Sequence, residues 1–163
     1  YKAGDLLIGK TTDVAPTESA VSINAKHVMS QMTITLVAGN GFTESSLASS
    51  NVSVKINHLM TQATIQLATS TVTATGETSD IVPMKENGRY KALVIPQPAP
   101  EGNIITITVD GREFHLSKAT NFQAFEAGKN HQFTVTLSKT SNGVNVNITK
   151  WEDDGIDHGG TAE

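Results

Sequence analysis

The chain runs to 163 residues, with 12 Lys and Arg against 16 Asp and Glu, a net charge of −4 and no cysteine. That length suits one ordinary domain burying about two-thirds of its extended-chain surface, and the missing thiols exclude disulfides, zinc–thiolate sites, iron–sulfur clusters and Cys nucleophiles. The basic residues are scattered singly, never in a run, so nucleic acid is not an expected partner.

Taken in order, the chain opens at Tyr1 rather than Met, as a fragment or processed form would. No stretch approaches the ~18 apolar residues of a membrane span, and nothing reads as a signal peptide. Leu6-Leu7-Ile8 is the first apolar cluster, and the aperiodic stretch from Thr11 to Thr17 reads as a linker. Val21 and Ile23 alternate with Ser22 and Asn24. A longer run beginning at His27 sets Met32, Ile34 and Leu36 against Thr33 and Thr35. A period of two predicts strands with one solvated face. After Gly39-Asn40-Gly41, Thr43 to Ala48 is predicted to form one helical turn capped by Thr43. Val52, Val54 and Ile56, then Ile65 and Leu67, then Val72 to Thr75, predict short strands separated by polar turns. A turn at Glu86-Asn87-Gly88 leads to a strand from Tyr90 to Ile95, which Pro96 ends because proline cannot donate to a ladder.

The strongest local signal follows. Ile105, Ile107 and Val109 lead into Asp110-Gly111, and Phe114 and Leu116 return. An Asp-Gly connection favours a type I′ turn, whose register sets Ile107 against Phe114 and Ile105 against Leu116. Phe122 and Phe125 stand at i, i+3 and predict a turn or compact loop plugging one end of the core. Residues 131–151 predict a last hairpin, in which Phe133, Val135 and Leu137 face Ile148, Val146 and Val144 across an antiparallel pair. The expected core is Ile34, Leu36, Val54, Ile56, Ile65, Leu67, Ile105, Ile107, Phe114, Phe133, Val135, Leu137, Val146 and Ile148. Eight to ten short strands without crossover helices predict an all-β fold, an antiparallel β-sandwich with one or two helical turns. The expected division is 1–17 as the end of a preceding domain and linker, 18–151 as the sandwich, and 152–163 as a disordered acidic and Gly-rich tail.

No catalytic, cofactor or metal site emerges. His27, His58, His115, His131 and His158 form no HxH, HxxxH or HExxH spacing. No G-x-S-x-G occurs. Glu152-Asp153-Asp154 with Asp157 lacks the spaced oxygens of a calcium loop. The sequons at Asn51 and Asn147 each place a core-facing residue in the middle. The protein is expected not to be an enzyme.

Several segments, in this order, carry a resemblance: Asp5-Leu6-Leu7; His27-Val28-Met29-Ser30-Gln31-Met32; Val94-Ile95-Pro96-Gln97; Gly111 in its hairpin; Phe125-Glu126-Ala127-Gly128-Lys129 before Phe133 to Leu137; and Ile148-Thr149-Lys150-Trp151. Together they resemble the C-terminal half of the fimbrillin-like proteins of Bacteroidales, the subunits of type V pili, with departures at Gln31 and His131. The resemblance implies a transthyretin-like, Greek-key sandwich, two such domains in the full protein, and export as a lipoprotein to the outer membrane and cell surface. It further implies a structural or adhesive role in fimbriae, with other pilin subunits as partners through donor-strand exchange and host or bacterial surfaces as further ligands. Stalk subunits of that family offer a C-terminal donor segment. The tail after Trp151 has only Ile156 and Ala162 to offer, which points to a tip or accessory subunit. The alternative is a secreted carbohydrate- or host-protein-binding module, for which clustered exposed aromatics are expected.

Overall fold

The alternating side chains fold into two facing sheets in the computed structural model, which describes residues 4–12, 14–15 and 20–139. In chain order the elements are β1 (Leu7–Gly9), β2 (Ala25–His27), β3 (Ser30–Ala38), α1 (Glu44–Ser49), β4 (Val52–Gln66) and β5 (Thr71–Ile81). They continue as β6 (Met84–Glu86), β7 (Arg89–Val94), β8 (Gln97–Pro98), β9 (Asn103–Val109), β10 (Arg112–Ser117), β11 (Ala124–Phe125) and β12 (Asn130–Leu137). The first sheet has the order β10-β9-β4-β5 and the second β12-β3-β7-β6; β1 with β2 and β11 with β8 form two further pairs.

Rows of facing residues show why these strands associate. In the first sheet Val54, Ile107 and Phe114 lie side by side, as do Ile56, Ile105 and Leu116. In the second, Phe133, Ile34 and Tyr90 form one row and His131, Met32 and Ala92 the next. These rows meet in a single apolar cluster joined by Phe42, Phe122 and Phe125, and each fully buried aliphatic or aromatic side chain contributes roughly 1.5–3 kcal/mol. Helix α1 closes one side with Leu47 buried. Thr43 caps it, accepting the Ser46 amide while the Ser46 hydroxyl accepts the Thr43 amide.

Of the positions expected in the core, Ile34, Val54, Ile56, Ile105, Ile107, Phe114, Phe133, Val135 and Leu137 are buried. Leu36 is half-buried against the cluster. Ile65 and Leu67 are not core residues: they are 47% and 71% exposed. The reason is that β4 is one strand of 15 residues, not two short ones. Its first half lies in the sandwich and its second half, from Thr61 to Gln66, is exposed throughout. Two irregularities hide this continuity. His58 bulges β4 at φ 58 and Gly76 bulges β5 at φ +82, so the apolar alternation changes phase while the ladder continues.

A second correction concerns β12. It runs parallel to β3, Phe133 beside Ile34 and Val135 beside Leu36, so the second sheet is mixed rather than wholly antiparallel. Backbone bonds extend the pairing at both ends, from Gln31 to the Lys129 carbonyl at 2.8 Å and from Gly39 to the Leu137 carbonyl at 2.8 Å. Val146, Ile148, the second arm of the hairpin expected over 131–151, and the tail 152–163 lie outside the described residues.

Candidate functional site

Nothing in the described residues assembles as a reaction centre. No three His, Asp or Glu side chains among them gather to hold an ion. His27 pairs with Asp5 at 2.8 Å, and His115 stands on the outer face beside Asn103 at 2.9 Å. The described aromatics, Phe42, Tyr90, Phe114, Phe122, Phe125 and Phe133, are all buried, so none forms an exposed stacking platform. What the fold does present is edges and a groove.

The groove lies where the two sheets' edge strands β5 and β6 diverge. It encloses about 420 Å³ and is lined by Met29, Met60, Ile81, Val82, Met84 and Leu93, with Gly4 of the N-terminal segment and Lys91 at its rim. Val82 and Met84 are exposed. Flexible thioether walls adapt to irregular apolar surfaces, and an apolar groove beside strands with free backbone groups can take an added strand, main chain to edge and alternate side chains to pockets.

A buried polar side chain holds one wall in place, and a second braces the core. β9 pairs with β4 only as far as Ile56, which leaves the backbone of Met60 without a ladder partner on that side. The Gln97 amide replaces it, Oε1 accepting from Met60 N at 2.9 Å and Nε2 donating to Met60 O at 3.0 Å. Outside the groove lining, His131 is wedged edge-on between Phe122 and Phe125, and its Nε2 accepts the Glu126 amide at 3.0 Å. Burial among these rings pushes its pKa below the usual imidazole value; Glu126 opposes the shift and Lys129 adds to it. Sequence reading missed both roles: Gln97 stands in a segment that carries the resemblance and His131 at a departure from it, but neither pattern says what the buried side chain bonds.

The Asp110–Gly111 turn has positive φ at both residues, 50° and 84°, the conformation of a type I′ connection. It is tied to the start of β4: Asp110 Oδ1 accepts from Asn51 N at 2.8 Å, and Asp110 N donates to Asn51 O at 3.0 Å. Hydrogen bonds from the Ser50 hydroxyl and the Asn51 amide hold the Asp110 carboxyl below its ordinary pKa.

A β-sandwich with open edges and an apolar groove defines a class of modules able to accept an added strand. Comparison with known proteins narrows it. Residues 1–151 match the family described as fimbrillin-like. A Bacteroides uniformis protein named "Putative fimbrium subunit Fim1C" is 32% identical over 141 residues, covering 83% of this chain and 46% of its own length. The crystal structure of a "putative cell adhesion protein" from the same species superposes with a TM-score of 0.62 at 28% identity, over 81% of this chain and 54% of that one. A Bacteroides ovatus protein described in the same words has the same fold, with a TM-score of 0.62 at 18% identity over 83% of this chain and 49% of that one. The chain belongs to the fimbrillin-like family. It spans about half the length of these relatives.

Proposed function

We propose that the chain is part of a subunit of cell-surface fimbriae and assembles with other pilin subunits by β-strand addition, in a structural or adhesive role. The observation that carries this reading is the family match over residues 1–151. The Met-lined groove between β5 and β6 supports it as a place where a partner's strand docks. Residues 1–17 are read as the end of a preceding domain and its linker, and the full protein as a lipoprotein carried to the outer membrane. Residues 152–163 hold only Ile156 and Ala162 as apolar side chains, so this segment is not read as a donor strand that fills successive pockets of an acceptor. The burial of all six described aromatics argues against the alternative of a carbohydrate-binding module.

The test is genetic. An antibody raised against this chain should label fimbriae on the producing cells, and fimbriae that never carry the label would overturn the proposal. Removing residues 155–163 from the full-length protein should leave polymerisation intact. Loss of fimbriae with the truncated subunit still exported would make the tail a donor.

A further inference from the structure

Strand β5 is an edge of the first sheet, and its unprotected half is unusual for a water-exposed edge. From Met60 to Gly76 the β4–β5 hairpin contains no Asp, Glu, Lys, Arg, His or Pro, in a chain where 17% of residues are charged. Two other sheet edges among the described residues are guarded: β10 carries Arg112, Glu113 and His115, and β6 is three residues long with Lys85 and Glu86. Bare edges of this kind are templates for pairing. The two faces of the hairpin also differ. Ala63 and Ile65 stand opposite Ala74 and Val72 as an apolar stripe, while Gln62, Thr64 and Gln66 stand opposite Thr75, Thr73 and Thr71.

We infer that β5 pairs edge to edge with β5 of a second copy of this chain, antiparallel and centred on Thr73. Three observations select a second copy. An antiparallel pair of identical strands is self-complementary about a two-fold axis normal to the ribbon, so both apolar stripes fall on one face of a four-stranded sheet; a lone two-stranded ribbon is marginal in water. Identical copies bring identical charges, and a charge near the axis would face its own image; the neutral run removes that repulsion. Finally, a centre at Thr73 sets Glu77, the first charge beyond the run, opposite the partner's loop at Thr69. There the Lys10 ammonium already sits on the Ala68 carbonyl at 2.5 Å, so the flanking charges are complementary. A two-fold contact closes on itself and cannot propagate a filament. It is therefore a lateral contact, independent of strand addition at the groove.

Sedimentation of the whole 163-residue chain over a concentration series tests this. The wild type should dimerise, and T73K, which sets two ammonium groups face to face on an exposed surface, should lose the dimer while keeping its circular dichroism. The absence of cysteine allows a second measurement on single-Cys variants: T73C should form a disulfide-linked dimer on mild oxidation and E113C, on the guarded edge β10, should not. A wild type that stays monomeric at every concentration overturns the inference. So does a dimer that survives T73K, which would mean stacking through the Ile65–Val72 stripe, and so does equal cross-linking at both cysteines.

Discussion

The first sheet contains two hairpins built by opposite means. In β9–β10 a two-residue turn joins short strands whose inner residues Ile105, Ile107, Phe114 and Leu116 are at most 2% exposed, with Arg112 stacked over Phe114 at 5.3 Å. In β4–β5 the strands are longer, the connecting loop spans four residues, and the far half has no covering layer. Past its two bulges, that far half alternates as regularly as β9–β10. What separates them is whether a second sheet stands across the apolar face, so one hairpin belongs to the stability of the fold and the other is free to serve association.

Substitutions can break this contrast if it is wrong, and the largest effect belongs to the covered hairpin. Phe114→Ala should cost about 3–5 kcal/mol in chemical denaturation, while Ile65→Ala on the free ribbon should stay within about 0.5 kcal/mol. Equal losses would mean that the ribbon is covered after all. Gln97→Leu removes the amide that serves both backbone groups of Met60 at the junction of the two halves of β4. It should cost about 1–3 kcal/mol, with hydrogen exchange at Met60 accelerated more than at Ile107. Gly111→Val forces a β-branched residue to φ +84, although no atom lies within 4 Å of the added Cβ. Its cost should be the backbone term alone, about 1–2 kcal/mol. A neutral result would mean that the turn can relax without disturbing β9 and β10.

The last prediction is a slope. The folded pKa of His131 lies below the unfolded one, so the native state binds fewer protons between those two values. Its contribution is full above the unfolded value of ~6.5 and is lost as pH falls from there through the folded value. His131→Tyr should flatten that part of the stability-against-pH curve and leave the β4–β5 ribbon untouched. An unchanged slope would remove His131 as its cause.

Local features were the legible ones. Thr43 could be read as a cap and Asp110-Gly111 as a turn because each sets its geometry within a few residues. The parallel pairing of β12 with β3 was not legible, since about a hundred residues separate the strands and no turn chemistry constrains them. The exposure of Ile65 and Leu67 was hidden for a different reason: a period of two says which face a side chain occupies, not whether anything covers that face. The joining of Val52–Gln66 into one strand was masked by the bulges, and the parts played by Gln97 and His131 depend on neighbours that only the folded chain assembles.

Those bulges work as compensating frameshifts. His58 adds one residue to β4 and Gly76 adds one to β5, so the pairing sum slips between Ile56–Ile81 and Leu59–Ser79 and returns by Gln62–Thr75. Straightening β4 at His58 with every residue kept would put Leu59, Ala63 and Ile65 on the opposite face, and Val72 and Ala74 would follow through their pairing. The greasy side of the ribbon would then look away from the sandwich instead of continuing its inner surface. Deleting His58 would do the reverse, leaving one residue between the buried Ile56 and Leu59 and keeping the stripe where it is, so the kink rather than the residue count decides what the tip shows to its surroundings.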